Sequence, residues 1–219
     1  MPSENISPPK DRVLLVEGRD DREVIYQFCN YHQIDNQKLF SVETQEGIDN
    51  LLENLSVRPR TGEEKVLAAI IDADVDIQAR WDSVCAALAK CDYTLPKMPN
   101  LEGTILAPPR PNRPRLGLWL MPDNQVEGML EDFLLRLTQA GNVLLGRAEN
   151  AVDGISQAER LFGETQRSKA ILHTWLSWQA EPGTPMGLAI KRQYLDPDQN
   201  PAPEFKAWLE DLFMPPQSP

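Results

Sequence analysis

The chain has 219 residues and carries 33 acidic against 22 basic side chains, a formal net charge of −11 at pH 7. This length is typical of one α/β domain, or of a domain with a small appendage. The acidity argues against a protein that coats nucleic acid through a broad basic surface. It is compatible with an enzyme whose metal ions and few arginines meet phosphate locally.

Cysteine content and apolar patterning predict a soluble cytoplasmic protein. Cys29, Cys85 and Cys91 lack the spacing of zinc ligands, and their odd number is typical of reduced thiols. No apolar stretch has the length of a membrane span, and the N-terminus lacks the apolar core of a signal peptide. Residues 1–10 and 214–219 are polar and contain proline, so we expect both termini to be disordered.

Residues 12–18 predict a short buried strand that ends in a carboxylate, Glu17, followed by Gly18. Asp20 and Asp21 then open a helix whose apolar positions fall on one face. These two aspartates are ordinary first-turn residues of a helix. Glu17 is different, because a carboxylate at the end of a buried strand has a desolvation cost unless it is paired or binds a cation.

Alternating strands and helices follow. A strand is predicted over residues 38–43, an amphipathic helix over 48–55, a strand buried on both faces over 66–71, and a helix over 75–90. Strand and helix therefore alternate three times in the first part of the chain. This order predicts a parallel sheet with right-handed crossovers.

Three aspartates, Asp72, Asp74 and Asp76, follow the third strand at alternate positions. Ligands of α/β sheets bind at the carboxyl ends of strands, and crowded carboxylates attract Mg²⁺ or Mn²⁺. An EF-hand calcium loop would need a glycine at position 77 and a glutamate at position 83. This sequence has Ile77 and Ser83 there, so an EF-hand is excluded. Helix capping by Asp74 or Asp76 is one alternative, and it accounts for one aspartate only. A dehalogenase-like phosphatase with Asp72 as nucleophile is another.

The motifs VEGRDD at residues 16–21 and IDAD at residues 71–74 resemble the Toprim signature. That superfamily is shared by bacterial primases, type IA and type II topoisomerases, small ribosomal-RNA maturases and OLD-type nucleases. The resemblance covers residues 12–137. It implies Mg²⁺ binding by Glu17, Asp21, Asp72 and Asp74, and a proton-transfer role for Glu17.

Two further motifs, GLWLMPDN at residues 117–124 and GMLED at residues 128–132, are similar to small stand-alone Toprim proteins. A downstream glutamate of OLD-type nucleases corresponds to Glu131, with Glu127 as the alternative. Asp76 and Asp123 are also candidates to complete the metal shell. OLD-type nucleases join a Toprim domain to an ATPase, so the resemblance also implies a separate ATPase partner.

The rest of the chain predicts strands over residues 104–107 and 116–121 and helices over 128–137, 148–162, 169–179, 188–193 and 204–213. Between the two strands, a proline-rich loop carries Arg110, Arg113 and Arg115. These arginines are candidates to bind substrate phosphate, and an ordinary solubilising loop is the equal alternative. Lys169 is a candidate to stabilise a phosphoryl transition state, and His173 lies four residues on.

The sequence therefore predicts an α/β fold, with a Toprim-like parallel central sheet over residues 11–140 and a helical C-terminal region over 141–213 packed on it. The predicted function is Mg²⁺-dependent (or Mn²⁺-dependent) phosphotransfer by a nuclease acting on DNA or RNA. A non-catalytic module that binds metal or nucleotide is the alternative, and the phosphatase is a third hypothesis. The predicted catalytic residues are Glu17, Asp72, Asp74 and Lys169, and the predicted metal ligands are Glu17, Asp21, Asp72, Asp74, Asp76 and Glu131.

Overall fold

The computed structural model describes residues 8–214. Most of the two predicted disordered termini, residues 1–7 and 215–219, therefore lies outside the described residues. Within the described range one sheet organises the chain. Its strands are β1 (Arg12–Val16), β2 (Ser41–Thr44), β3 (Val66–Asp72), β4 (Thr104–Leu106) and β5 (Arg115–Met121).

Helices connect and cover the strands. They are α1 (Arg19–Tyr31), α2 (Asn36–Leu39), α3 (Ile48–Val57), α4 (Ile77–Leu88), α5 (Leu130–Arg136), α6 (Val143–Asp153), α7 (Arg167–Ser177), α8 (Met186–Ala189) and α9 (Ala202–Phe213). Short 3-10 turns lie at Arg58–Arg60 and Glu164–Gln166. Among the described residues, no helix has both the length and the apolar character that a membrane crossing requires.

The sheet has the strand order β2–β1–β3–β5–β4. The first four strands of this order pair in parallel, and β4 pairs antiparallel with β5. The predicted α/β fold with a largely parallel central sheet is therefore confirmed. Because parallel strands share one direction, their last residues lie at one side of the sheet, which we name the carboxyl edge. These residues are Val16, Thr44, Asp72 and Met121. The opposite side, where these strands begin, is the amino edge.

Alternation along the strands divides the core into two layers, since successive side chains of a strand point to opposite faces. Leu14 and Val16 belong to the layer formed with α1, α5, α7 and α9. Val13 and Leu15 belong to the other layer, where they pack with residues of α3 and α4. The sheet is therefore covered on both sides, which is why its strands are almost continuously apolar.

Helix α9 packs directly on β5. A Cβ at Gly117 of β5 would lie 2.2 Å from a methyl carbon of Leu212, so only glycine allows this approach. Phe205 of α9 contacts Trp119 of β5, with ring centroids 5.1 Å apart, and Phe28 of α1 at the same distance. The C-terminal helix is therefore part of the main core.

Three predicted elements were wrong in extent, and one of them is the helix predicted over residues 188–193, which is instead Met186–Ala189. The strand predicted over residues 38–43 begins only at Ser41, because Asn36–Leu39 forms the helical turn α2. The helix predicted over residues 148–162 is instead Val143–Asp153. Its C-cap is Gly154, where an added Cβ would lie 3.0 Å from the carbonyl oxygen of Asn150, so the chain leaves the helix at a residue without a side chain.

Candidate active site

A cleft of about 420 Å³ opens at the carboxyl edge of the sheet. Six carboxylates line it (Glu17, Asp20, Asp21, Glu46, Asp72 and Glu131), together with two cationic side chains, Arg19 and Lys169. We name it the acidic cleft. Its residues come from the ends of β1 and β3, from the loop after β2, and from α1, α5 and α7, so elements distant in sequence converge here. This is the side of an α/β sheet at which ligands bind.

The turn between β1 and α1 fixes Asp21. The backbone N–H of Gly18 donates to Oδ2 of Asp21 over 3.1 Å, and Gly18 is the N-cap of α1. A Cβ at Gly18 would lie 3.3 Å from that carboxylate oxygen, so glycine eases the approach. Asp21 therefore caps the N-terminus of α1 with one carboxylate oxygen, and its side chain lines the cleft.

Backbone hydrogen bonds connect β1, β3 and α5 through two of the carboxylates. The N–H of Asp72 donates to Oε1 of Glu17 over 3.0 Å. Oδ1 of Asp72 in turn accepts a hydrogen bond of 2.9 Å from the N–H of Leu130. These bonds fix the direction of both side chains, because one oxygen of each is already engaged.

Glu131 and Lys169 form the remaining wall. Glu131 is buried, and its Oε1 lies 3.2 Å from Nζ of Lys169, whose side chain is half exposed. Burial disfavours the charged form of Lys169, but the attraction of Glu131 outweighs this effect, so the pKa of Lys169 is raised. The ammonium therefore stays protonated at neutral pH and supplies a positive charge inside the acidic cleft.

The carboxylates of the cleft are held close together at an electrostatic cost. Burial raises the pKa of Asp21 to about 6. Burial, with the charge of Asp21 added, also raises the pKa of Glu17. The pKa of Asp72 is raised well above its usual range by burial and by the charges of Glu17, Asp21 and Glu131. A cation in the cleft would offset both contributions, since it favours the charged form of each carboxylate.

The donor set of the cleft fits a hard cation. Every candidate ligand is a carboxylate, and oxygen ligands suit Mg²⁺ and Mn²⁺. Glu17, Asp21 and Asp72 each have one oxygen engaged by a backbone N–H, and the hydrogen bonds of the described residues leave the other free. Across residues 8–214, however, no three His, Cys, Asp or Glu side chains already stand close enough to share a metal ion. The carboxylates surround the cleft and face the ammonium of Lys169.

Asp74 and Asp76 are not brought into the acidic cleft. Asp74 has a left-handed backbone, with φ of 55°, and exchanges two backbone hydrogen bonds of 2.8 and 2.7 Å with Gly128. Its side chain pairs with Arg80. Asp76 is the N-cap of α4 and accepts a 2.9 Å hydrogen bond from the N–H of Ala79. For Asp76 the structure therefore corresponds to the helix-capping alternative.

The other sequence candidates also lie elsewhere. Asp123 accepts hydrogen bonds from the N–H groups of its own turn and pairs with Arg136. Glu127 lines an adjoining hollow with Asp74. His173 is exposed on α7 and is not among the residues that line the cleft.

The three loop arginines lie at the amino edge. Arg115 is the first residue of β5 and pairs with Asp211 over 3.1 Å. Arg110 and Arg113 share Asp92, at 2.7 and 3.2 Å. A strand of seven residues spans about 20 Å, so this loop is remote from the cleft at the other end of β5. This position favours the surface-loop alternative, and binding of substrate phosphate by these arginines stays a prediction.

A family model described as a protein of unknown function, DUF3226, matches residues 11–214. The chain belongs to the DUF3226 family. No curated protein matches this chain, and no solved structure matches it.

Sequence reasoning missed several residues of this DUF3226 site. Glu46 and Gly47 line the cleft because β2 is the neighbour of β1 and ends at the same edge. The parallel order of the strands was the available signal for them. Arg80 had no local signal. Its guanidinium pairs with Asp74 and acts against the burial that raises the pKa of Glu17.

Proposed function

We propose that this DUF3226 protein is a Mg²⁺-dependent phosphotransfer enzyme of Toprim type, a nuclease that cleaves phosphodiester bonds of DNA or RNA at the acidic cleft. The observation that supports the proposal is the convergence of Glu17, Asp21, Asp72 and Glu131 around one lysine at the carboxyl edge. A bound divalent cation would supply Lewis-acid stabilisation of the developing phosphate charge and an activated water.

The chain's own residues have distinct roles in this proposal. Asp72 and Glu17 are oriented by backbone donors, so their free oxygens are available as ligands. Lys169 holds a proton at neutral pH and offers its ammonium to a phosphoryl oxygen, where preorganised positive charge is most effective. Glu17, whose pKa is raised by burial, is suited to carry a proton to or from the reacting group.

The test is cleavage of supercoiled plasmid, single-stranded DNA and structured RNA in the presence of Mg²⁺ or Mn²⁺, with a chelator blank. Asp72→Asn keeps the shape and the acceptor oxygen but removes a charge, and we expect it to lower cleavage by about 100-fold or more. Asp82→Asn is the matched control, because Asp82 is exposed on α4 and bonds only the side chain of Gln78. Calorimetric titration with Mn²⁺ should show binding to wild type and to Asp82→Asn, and much weaker binding to Asp72→Asn.

Two outcomes would contradict this proposal. A protein that binds no Mn²⁺ has no metal site in the cleft. A protein that binds Mn²⁺ and leaves all three substrates intact would favour the second candidate, a non-catalytic module that binds metal or nucleotide. One observation supports that candidate: the Glu131–Lys169 ion pair already neutralises one wall of the cleft. A separate ATPase partner is an additional expectation, and a pull-down without an enriched ATPase would count against it.

A dehalogenase-like phosphatase makes a different prediction for the same residue. It requires Asp72 to become phosphorylated during turnover of a small phosphoester such as p-nitrophenyl phosphate. Asp74, the second aspartate of that motif, pairs with Arg80 in this structure, which places it away from Asp72's cleft. Mass spectrometry of the protein after reaction distinguishes the two chemistries, since the nuclease forms no phosphoaspartate.

A further inference from the structure

A second hollow lies between the edge strand β4 and the last helix α9. It measures about 580 Å³ and is lined on one side by Gly103 and Ile105 and on the other by Ala207 and Trp208. It adjoins a further hollow of about 410 Å³, which is lined by Leu101 and Trp119 among others. Glu102 and Glu204 line both. We name the two together the β4–α9 groove.

One side of the groove is the free edge of the sheet, where Thr104 is buried and Ile105 and Leu106 are partly exposed. Strand β4 pairs with β5 and ends the strand order, so within residues 8–214 no strand pairs with its other side. An edge strand presents unpaired backbone N–H and C=O groups that can accept another strand. Because β4 has three residues, this pairing would involve a short segment.

The floor of the groove is apolar, and two indole rings lie buried beneath it. The side chains of Trp119 and Trp208 are buried, and neither indole N–H has a hydrogen-bond partner among the described residues. A buried indole N–H usually finds an acceptor. A Cβ at Gly103 would lie 2.2 Å from the ring of Trp208, so only a glycine lets the strand lie directly on the indole. Leu101, 61% exposed, extends the apolar surface.

The rim of the groove has an excess of acidic side chains, since Arg136, which also lines the smaller hollow, is paired with Asp123. Glu102 and Glu204 are both exposed, and neither forms an ion pair within the described part of the chain. Asp211, on the same side of α9, pairs with Arg115. Two carboxylates are therefore available to a ligand that brings positive charge, and an acidic ligand would be repelled.

We propose that the β4–α9 groove binds an extended, basic peptide segment of a partner protein, which adds as a strand to β4. Such a segment satisfies all three features at once. Its main chain pairs with β4, its alternate apolar side chains cover Ile105 and Leu101, and its lysines or arginines pair with Glu102 and Glu204. A helical peptide uses its backbone N–H and C=O groups in its own hydrogen bonds, so it would leave the edge of β4 unpaired. This inference is independent of the chemistry proposed for the acidic cleft.

The test begins with selection of binders from a phage-displayed random dodecapeptide library against the full chain. A fluorescein-labelled synthetic copy of the recovered peptide then serves as the probe in fluorescence polarisation. We expect peptides with alternating apolar and basic residues. The double variant Glu102→Lys and Glu204→Lys should weaken binding by about tenfold or more, since charge complementarity is reversed. Glu149→Lys is the control, because Glu149 is exposed on α6 and lines neither hollow.

Two further measurements examine the strand geometry. Ala207→Arg places a bulky cation at an exposed position of α9 inside the groove, and it should block the probe while leaving the melting temperature nearly unchanged. N-methylation of alternate peptide amides should abolish binding for one set of positions and spare the other, as a β-ladder requires. The proposal would be overturned if the peptide bound the Ala207→Arg variant as tightly as wild type, or if Glu149→Lys weakened binding as much as the double variant does. It would also be overturned if both N-methylated sets of peptides still bound.

Discussion

The charged groups of the acidic cleft and those elsewhere on the sheet differ in how completely they are paired. Away from the cleft, arginines are paired with carboxylates. Arg110 and Arg113 share Asp92 at the amino edge, and Arg58 lies 2.7 Å from both Glu43 and Glu64. At the carboxyl edge, the acidic cleft has six carboxylates and two cationic side chains, Arg19 and Lys169. Burial raises the pKa of three of these carboxylates, Glu17, Asp21 and Asp72. These arginine–carboxylate sets are thus paired within the chain, whereas the acidic cleft has an excess of negative charge.

This difference predicts opposite responses to the loss of a charge. Removing a charge from a paired set leaves its partner without compensation, so the folded state becomes less stable. Removing a charge from a set of like charges relieves repulsion, so the metal-free protein becomes more stable. Excess charge that costs stability is typical of functional sites, because the folded state alone gains nothing from it.

The largest effect is expected for Arg58→Ala. Glu64 is buried, with 2% of its side chain exposed, and its second oxygen has no partner among the described residues. Loss of the guanidinium leaves this carboxylate buried and unpaired, which should lower the free energy of unfolding by about 3 kcal/mol or more. Urea denaturation measures the change. Arg60→Ala is the control, because Arg60 is exposed and donates only to the carbonyl oxygen of Ser56; we expect about 0.5 kcal/mol or less. Equal losses in both variants would contradict this account.

The next effect has the opposite sign and depends on pH. The pKa of Asp21 is raised from 3.8 to about 6 in the folded protein, a difference of about two pH units. A raised carboxyl pKa contributes stability below pH 4, and this contribution is lost as the pH rises through about 6. In chelator, Asp21→Asn should therefore match wild type near pH 4 and exceed it by about 3 kcal/mol at pH 7.5. Asparagine keeps an oxygen that can accept from Gly18.

Urea denaturation across this pH range checks the prediction for Asp21. The control is Asp82→Asn, because Asp82 is exposed on α4 and bonds only the side chain of Gln78. Its free energy of unfolding should stay within about 0.5 kcal/mol of wild type at every pH. A stabilisation by Asp21→Asn that is the same at pH 4 and pH 7.5 would mean that relief of a buried charge is not its cause.

The smallest effect is expected for Arg110→Ala at the amino edge. Arg110 lies 2.7 Å from Asp92, and its side chain is more than half exposed. Exposed ion pairs contribute about 0 to 1 kcal/mol, so thermal unfolding should hardly change. Cleavage should also stay within about twofold, because the loop is at the opposite edge from the acidic cleft. A tenfold loss of nucleic-acid binding would instead restore a substrate-binding role for the loop.

The strand-end residues were predictable because one simple rule covers them. Apolar runs before Glu17 and Asp72 predicted buried strands, alternating elements predicted a parallel sheet, and parallel strands end at the same edge. The rest of the acidic cleft depends on contacts between residues distant in sequence, which this rule does not cover. Glu131 was reached only through the resemblance to OLD-type nucleases, since nothing in its local pattern distinguishes it from any first-turn glutamate of a helix.

Asp74 and the arginine loop show where local pattern was insufficient. The direction of Asp74 is set by a left-handed backbone, by hydrogen bonds to Gly128 and by Arg80, and none of these follows from alternate spacing. The position of residues 108–115 depends on which edge strand β5 starts from. The local sequence shows that a loop carries charge, but only the order and direction of the strands show at which edge of the sheet that loop lies.

The shortness of β4 has a consequence for the behaviour of the protein at high concentration. Pro108 and Pro109 follow the strand almost at once, and proline has no N–H to extend a ladder. Helix α9 flanks the same opening. Two copies of the chain therefore cannot continue each other's sheet over a long stretch, and the edge should resist the growth of fibrils while remaining open to a single short strand.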